Sequence, residues 1–526
     1  MKTSARISFL TATLVVLLVL VLSRDILLIL AGAGWSPAAR ALSLLLIVVT
    51  AFGVIQFTNY ADHLLRSLYV YPEHPLAPRQ ETAPPAGRVA VFIPVYNEEP
   101  GVVESCIRAC TSIAYPDCTV YLLDDSTDER LRGSMEEIGR RYRIRYVHRD
   151  HRKGFKAGAI NHALSLLDGD TQYLLVLDAD QIVKPAILAD LIPVIEADPT
   201  LSFIQTPQFF RPDPDNLISA TFSYQQHIYN KHVCRGLSVN RTSMLTGSNC
   251  IFRVGHLLAI GGMDETTITE DIATAFLFHT GGYRGVYIDA VYAEGMAPPD
   301  LAAYFTQQLR WAYGNTRLLG KVMRQFVTHP TGLAPVQWLE FAVIASVYLF
   351  GGLSVVFFLL PVATLLFGIP ILPIWLPVVF AVVFGTVIAI QVVTSIRERH
   401  YSPRDLAFSQ AIFNTLSLVY IRAIWYAVSG KKLPFVVTPK TAFVSGERAR
   451  VRITPLLAVI AAILLSMLAG IVRLLTRGPD FGTIVPLFWA GFTLLVLSSF
   501  IVVWRRDGRR VPRDRPDRHL SRDQDA

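Results

Sequence analysis

Long apolar segments alternate with one long stretch of mixed polarity along this chain. A transmembrane helix needs about 20 mostly apolar residues, and several segments approach that length. They lie at about residues 7–23, 41–57, 339–368, 370–396, 455–475 and 483–504. The pattern predicts a membrane protein with about six crossings, and a large soluble insertion between the second crossing and the third.

One further apolar segment complicates the number of crossings. Residues 404–429 are apolar on average, but Asn414 and Arg422 interrupt them. A helix with this mixed character is typical of the membrane surface, so we expect an amphipathic helix at the cytoplasmic interface. The predicted organisation is a transmembrane hairpin at 1–61, a cytosolic domain at 62–337, a second hairpin at 338–397, an interfacial helix and loop at 398–452, a third hairpin at 453–504 and a basic tail at 505–526.

Composition and charge agree with a membrane protein. Of the 526 residues, 52% are hydrophobic and only 17% are charged, whereas an average soluble domain carries about a quarter of charged residues. The net charge is +8, and Lys2, Arg6, Arg505 and Arg506 flank the outermost apolar segments. Basic flanks mark the cytoplasmic side, so both termini and the insertion are expected there. No nucleic-acid recognition motif accompanies the basic clusters, so no nucleic-acid partner is expected.

The insertion contains short buried-strand patterns that alternate with helical stretches. Residues 88–95, 119–123 and 172–177 have this strand pattern, which predicts a parallel, doubly wound α/β sheet. Ligands of such sheets bind at the carboxyl ends of the strands. Two acidic pairs fall at those ends, Asp124 with Asp125 and Asp178 with Asp180.

The second acidic pair has the spacing of a metal site. Asp178 and Asp180 are two residues apart, so both carboxylates of an extended strand end can point the same way. A hard divalent ion that bridges a diphosphate is held by one or two carboxylates together with phosphate oxygens. An isolated pair of this kind is often only a loop feature, but here a second acidic strand end precedes it.

Two basic residues lie between these strands. Lys153 and Lys156 flank small residues that let the backbone approach a ligand. They could hold an anionic diphosphate, or they could belong to a solvated basic helix start. Further along the chain, Thr269, Glu270 and Asp271 precede an apolar helix, where an acidic residue can simply interact with the helix N-terminus.

A third motif combines an amide, a guanidinium and an indole. Gln307, Arg310 and Trp311 are spaced i, i+3 and i+4, so they share one face of a helix. Arginine binds phosphate oxygens through its planar fork, and an aromatic ring stacks on a sugar. The same triplet could instead be a buried anchor at the membrane interface.

These motifs, taken in order, carry a family resemblance. The chain resembles the processive family 2 glycosyltransferases, the group of cellulose, chitin and hyaluronan synthases. Residues 435–440, Phe-Val-Val-Thr-Pro-Lys, are similar to the gating loop of bacterial cellulose synthase. The resemblance implies a GT-A fold in the cytosol, joined to a polymer-conducting bundle in the bacterial inner membrane.

The resemblance also implies a role for each motif. Asp124 or Asp125 would contact the nucleotide, and Asp178 and Asp180 would hold Mg²⁺ or Mn²⁺ on a UDP diphosphate with help from Lys156 and Arg310. Asp271, beside Glu270, would be the general base. A carboxylate is ionised near neutral pH unless it is strongly desolvated, so Asp271 can accept a proton without an upward pKa shift. Trp311 and Gln307 would bind the acceptor sugar, and Phe435, Thr438 and Lys440 would close over the nucleotide.

We therefore hypothesise a membrane-integrated, inverting synthase that uses UDP-glucose to make and export a β-glucan. Its partners would be a UDP-sugar, the growing polysaccharide and the bilayer, and an export protein is a further candidate. Alternatives are a synthase that uses UDP-GlcNAc or GDP-mannose, a lipid-phosphate glycosyltransferase that adds one sugar, or a nucleotide-binding transporter or scaffold without catalysis. Only sixteen residues follow Arg510, so we expect no C-terminal barrel that binds cyclic di-GMP.

Overall fold

A computed structural model describes residues 13, 20–31, 36–72, 87–211, 216–370, 385–386, 389–393, 403–433 and 451–508. The central feature of residues 87–328 is a seven-stranded sheet in the order β3-β2-β1-β4-β8-β6-β9. A second sheet of three strands has the order β5-β10-β7. The strands are β1 Arg88–Val95, β2 Cys118–Asp124, β3 Arg145–His148, β4 Thr171–Val176, β5 Ile182–Val183, β6 Leu201–Gln205, β7 Phe209–Arg211, β8 Cys250–Arg253, β9 Arg284–Tyr287 and β10 Ala293–Met296.

The large sheet is mixed, which corrects the prediction of a parallel sheet. Strands β1 to β4 pair in parallel, but β8 runs antiparallel to both β4 and β6. The reason is where the chain re-enters the sheet. Strand β6 ends at Gln205, and β8 begins at Cys250 directly beside it, so β8 must run back in the opposite direction. This mixed, Rossmann-like arrangement is the GT-A fold class that the resemblance implied.

Helices cover both faces of the large sheet. One apolar core contains Phe92, Ile160 and Phe252, and the other contains Val91, Ile107 and Ile192, because successive residues of a buried strand point to opposite faces. The helices of this domain are α2 Pro100–Thr111, α3 Glu129–Arg141, α4 Phe155–Leu164, α5 Ile187–Ala197, α6 Leu217–Ile228, α7 Arg235–Val239, α8 Val254–Ala259, α9 Glu270–Thr280 and α10 Leu301–Thr328.

The remaining helices include the candidate membrane spans. They are α1 Pro37–Tyr69, which precedes the soluble domain, and α11 Pro335–Leu353, α12 Val355–Pro361, α13 Pro403–Thr415, α14 Ser417–Val428, α15 Thr454–Arg477 and α16 Phe481–Gly508, which follow it. Within the described residues, five helical segments are long and apolar enough to cross a membrane. They are Pro37–Tyr69, Pro335–Leu366, Leu406–Val428, Thr454–Arg477 and Phe481–Asp507.

The membrane helices agree only in part with the predicted crossings. Most of the first and fourth predicted crossings, 7–23 and 370–396, lies outside the described residues. The segment Leu406–Val428 is itself long and apolar enough for a span. Its placement at the interface, and the total of six crossings, therefore stay predictions.

A buried polar cluster joins the soluble domain to two of these helices. Glu340 of α11 accepts hydrogen bonds from Asn59 Nδ2 at 3.0 Å and from Asn240 Nδ2 at 2.6 Å. His63 Nε2 lies 2.9 Å from the same carboxylate, whose side chain is 2% exposed. Asn59 and His63 belong to α1, whereas Asn240 follows α7, so one carboxylate joins three separate segments.

Candidate active site

A cleft of about 230 Å³ opens at the carboxyl ends of β1, β2 and β4. Because parallel strands end at the same edge of a sheet, residues that directly follow them are brought together there. Most of the residues that the sequence singled out line this cleft. They are Asp125, Lys156, Asp178, Asp180, Glu270, Asp271, Gln307, Arg310 and Trp311.

The two aspartates after β4 have different surroundings. Asp180 is 3% exposed, and its Oδ2 accepts a hydrogen bond of 2.8 Å from the backbone N–H of Met296. The side chain of Asp178 is about one-third exposed and is paired with the Lys156 ammonium. The backbone N–H of Asp178 donates to Ser248 Oγ at 2.8 Å, which holds this loop against the one before β8.

The donor set fits a divalent cation bound together with a diphosphate. Both carboxylates line the cleft, and a cationic group, the Lys156 ammonium, already lies against Asp178. Within the described residues, no group of three or more His, Cys, Asp or Glu side chains is arranged to hold a metal. Two carboxylates would be enough where phosphate oxygens complete the shell of Mg²⁺.

Lys156 is the cationic centre of the cleft. It lies in the first turn of α4, which begins after Gly154 in a left-handed conformation with φ 73°. Burial favours the neutral amine, but the neighbouring charges of Asp178 and Glu270 outweigh it and raise the pKa of Lys156. Its Nζ also donates to the carbonyl oxygen of Gly247 at 2.7 Å, so the ammonium is held in place between two loops.

The structure separates the two aspartates at the end of β2. Asp124 turns away from the cleft and accepts hydrogen bonds of 2.8 Å from the Tyr146 hydroxyl and from the backbone N–H of Ser126. Asp125 lines the cleft and is held by the Arg149 guanidinium through two bonds of 2.8 and 2.5 Å. Of the two, only Asp125 is placed to face a ligand.

Lys153 lies at the surface, outside the cleft lining, so its role in substrate binding stays a prediction. Its neighbour Arg152 lines the cleft instead, and the Arg152 guanidinium stacks 3.2 Å from the centroid of the Tyr96 ring. Sequence reasoning missed both Arg152 and Tyr96. The signal for Tyr96 was its position directly after β1, equivalent to that of the acids after β2 and β4.

Glu270 and Asp271 open helix α9 at the floor of the cleft. Burial raises the pKa of Glu270 to about 7 and that of Asp271 to about 6. The pKa of Asp271 thus lies above its ordinary value, although the predicted role requires no such shift, because the cleft removes much of the water that would stabilise its charge. A carboxylate with a pKa near 6 is still ionised at neutral pH and is a stronger base than an exposed one.

Helix α10 presents Gln307, Arg310 and Trp311 to the cleft on one face, as predicted. Its first turn is fixed by Asp300, whose Oδ1 accepts from the backbone N–H of Ala303 at 2.8 Å. Burial lowers the pKa of the Arg310 guanidinium, but a guanidinium stays charged at neutral pH.

A second cavity of about 480 Å³ meets the cleft beside Asp271 and Trp311. Its lining includes aromatic and amide side chains. It also includes Gln56 of α1, Val343 of α11 and Thr493 of α16, so the cavity extends among the candidate membrane helices. The residues shared by the two cavities are Gln208, Thr246, Thr269, Asp271 and Trp311. The predicted gating residues Phe435, Thr438 and Lys440 lie outside the described residues.

Comparison with known proteins identifies the domain. Residues 84–314 match the protein-family model described as glycosyltransferase like family 2, and residues 258–407 match the one described as cellulose synthase. Residues 84–314 are therefore similar to a family 2 glycosyltransferase domain. The two matches overlap at residues 258–314. The cellulose synthase match then continues through helices α11 and α12.

Among curated relatives, the chain is similar to cellulose synthase catalytic subunits. It is 31% identical over 293 residues to the UDP-forming subunit of Pseudomonas fluorescens, covering 53% of this chain and 38% of that one. It is 31% identical over 236 residues to the subunit of Xanthomonas axonopodis pv. citri, covering 44% and 32%. The matched regions thus span less than two-fifths of these relatives.

Among solved structures, the chain is similar to the mannosyltransferase PcManGT from Pyrobaculum calidifontis in complex with GDP-Man and Mn²⁺. The sequences are 19% identical, and the match covers 74% of this chain and all of that one with a TM-score of 0.48.

Proposed function

We propose that this chain is a membrane-integrated, processive, inverting glycosyltransferase that polymerises a β-glucan from UDP-glucose and moves it across the membrane. The observation that carries the proposal is the junction of the two cavities. Asp271 and Trp311 line both the cleft with its candidate diphosphate ligands and the cavity among the membrane helices. A product formed at this junction would lie at the entrance to a path through the bundle.

The donor side of the cleft suits a nucleotide diphosphate. Asp178 and Asp180 would hold Mg²⁺ or Mn²⁺, which supplies charge neutralisation at the leaving diphosphate. The Lys156 ammonium and the Arg310 guanidinium add two further cationic groups beside these carboxylates. Asp125, held by Arg149, would contact the nucleoside, and the loop with Phe435, Thr438 and Lys440 would close over it.

The acceptor side would perform a single in-line displacement. An oxygen of the acceptor sugar bonds to C1 of the donor while the bond from C1 to the diphosphate breaks, and its electron pair leaves with UDP. The hydroxyl proton passes to the Asp271 carboxylate as the new bond forms. Displacement from the opposite face converts an α-linked donor into a β-linked product, and Trp311 and Gln307 would hold the acceptor.

The second cavity suits an uncharged polymer. Its lining includes Tyr304, Tyr420, Gln225 and Gln308, and the Tyr420 hydroxyl donates to Gln308 Oε1 at 3.0 Å. Aromatic rings stack on the C–H faces of sugars, and amides exchange hydrogen bonds with their hydroxyls. The curated relatives are UDP-forming cellulose synthase subunits, which supports the same donor for this chain. With the cleft on the cytoplasmic side of the bacterial inner membrane, the polymer would leave the cell.

Purified full-length protein in lipid nanodiscs should release UDP from UDP-glucose and form a β-linked polymer when Mg²⁺ or Mn²⁺ is present. UDP-GlcNAc and GDP-mannose are tested separately, with linkage analysis and sizing of each product. A polymer from another donor would change the assigned sugar, and a single added sugar would refute processivity. No nucleotide release from any of the three donors would refute the proposed activity.

The raised pKa of Asp271 predicts a pH dependence. Below its pKa of about 6 the carboxyl is protonated and cannot accept the acceptor proton. We therefore expect the rate to fall about tenfold per pH unit on the acidic side and to level off above neutrality. Initial rates of UDP release between pH 5 and 8, with UDP affinity measured in parallel, would check this. A rate that stays constant through the acidic range contradicts the assignment of Asp271 as the base.

A further inference from the structure

A glycine of helix α10 lies in unusually close contact with the segment before the base. A methyl group at Gly314 would come within 2.6 Å of Thr269 Cγ2, 2.7 Å of Thr269 Oγ1 and 3.0 Å of the Thr269 backbone nitrogen. Carbon atoms in van der Waals contact lie about 3.5–4.0 Å apart. The two backbones can therefore be this close only because residue 314 lacks a side chain.

The position of Gly314 on its helix relates it to the site. It follows Gln307 by seven residues, Arg310 by four and Trp311 by three. Residues at these spacings share one helix face, so Gly314 continues the face that carries the three side chains of the cleft. Glycine is a poor helix former, and its presence inside a 28-residue helix is explained by the close approach.

The Thr269 side chain packs in the same contact with Gly314. It is the residue before α9, where a threonine side chain commonly accepts a hydrogen bond from the first turn, yet it makes no such bond. It is 5% exposed, and among the described residues no hydrogen-bond partner lies within reach of its hydroxyl. The side chain is packed against Gly314 instead, two residues before Asp271.

We infer that the Gly314–Thr269 contact sets the separation between the Asp271 carboxylate and the Trp311 ring, and that Gly314 is a positioning residue for the transfer step. This inference rests on the proposed function. Helices α9 and α10 are rigid elements. A change in their closest approach therefore also changes the distance between Asp271 on α9 and Trp311 on α10. Thr269 is β-branched and stiff, so it cannot turn aside for an added methyl group.

The test compares Gly314→Ala with Gly320→Ala in full-length protein. Gly320 lies on the same helix, and a methyl group there would have no neighbour within 4 Å. Because a displacement of about 1 Å can cost about 10²-fold in rate, Gly314→Ala should lower kcat for UDP release about 10²-fold. The UDP affinity should fall much less than kcat, since Asp178 and Lys156 are on other elements and Arg310 is the one proposed donor-side group that lies on α10. Gly320→Ala should behave like the unmodified protein.

A double variant separates positioning from misfolding. Alanine lacks both side-chain atoms that the added methyl group would meet, Cγ2 and Oγ1, so Thr269→Ala combined with Gly314→Ala should recover at least about tenfold of the lost kcat. The inference is overturned if Gly314→Ala matches Gly320→Ala, if UDP affinity falls as far as kcat, or if the double variant shows no recovery. In those cases the unmodified protein still releases UDP and the proposed function stands, whereas failure of the unmodified protein with every donor removes both.

Discussion

Replacing Asp271 by asparagine is expected to lower the rate of UDP release about 10²–10⁴-fold, because the acceptor hydroxyl loses its proton acceptor. The amide keeps the shape of the side chain, and the Asp271 contact to the Ile272 N–H at 2.8 Å can be kept by the amide oxygen. Donor binding should therefore survive. Steady-state rates and UDP affinity by calorimetry, measured on the same preparation, would show a loss in kcat alone.

The matched control for this variant is Asp170→Asn. Asp170 is an exposed carboxylate that pairs with Arg88 at 2.8 Å and lies outside the cleft lining. It should keep the full rate. If Asp271→Asn turns over as fast as Asp170→Asn, Asp271 is not the base, whatever the product of the enzyme is.

Asp180→Asn is expected to produce the second large effect. Loss of one of the two candidate metal carboxylates should lower the rate about 10³-fold, which corresponds to roughly 4 kcal/mol of transition-state stabilisation. The backbone N–H of Met296 can still donate to the amide oxygen, so the loop itself should be retained. A titration of activity with Mn²⁺ would also show half-saturation moving to higher concentration.

Asp117→Asn serves as the control here. Its carboxylate is about half exposed and pairs with Arg88 away from the cleft. Its metal response should equal that of the unmodified protein. An Asp180→Asn variant with an unchanged rate and an unchanged Mn²⁺ titration would mean that the metal, if one is used, binds elsewhere.

The residues that gather in the cleft could be predicted because each follows an element with a clear pattern. Asp125, Asp178 and Asp180 come directly after buried strands, and the geometry of a sheet brings such positions to one edge. Gln307, Arg310 and Trp311 share a face by helical periodicity alone. These relations depend on local spacing, which the sequence contains in full.

Other features depend on contacts between distant segments. Adjacent residues of a strand end point to opposite sides, so Asp124 and Asp125 could not both face the cleft, yet only Tyr146 and Arg149 decide which one does. Likewise Arg152, rather than Lys153, lines the cleft, where its guanidinium lies over the ring of the distant Tyr96. The close approach of Gly314 to Thr269 involves residues 45 positions apart and leaves no pattern in either segment.

Hydropathy alone does not decide whether the segment Leu406–Val428 crosses the membrane. It qualifies as a span by length and composition, but α14 packs extensively on α10, and the Tyr420 hydroxyl of α14 donates a hydrogen bond to Gln308 of α10. An apolar helix that packs on protein and one that faces lipid have similar compositions. The number of crossings therefore does not follow from composition.

The contacts of the Glu340 carboxylate affect which part of the chain can be expressed on its own. Cutting the chain near residue 337, to obtain a soluble fragment, would remove the acceptor for Asn240 and expose to water the surface that α11 covers. Trp338 and Phe341, which pack on Phe276 of the catalytic half, would be lost with it. The protein should therefore be expressed as one polypeptide and extracted with detergent, because helix α11 supplies part of the apolar core that covers the large sheet.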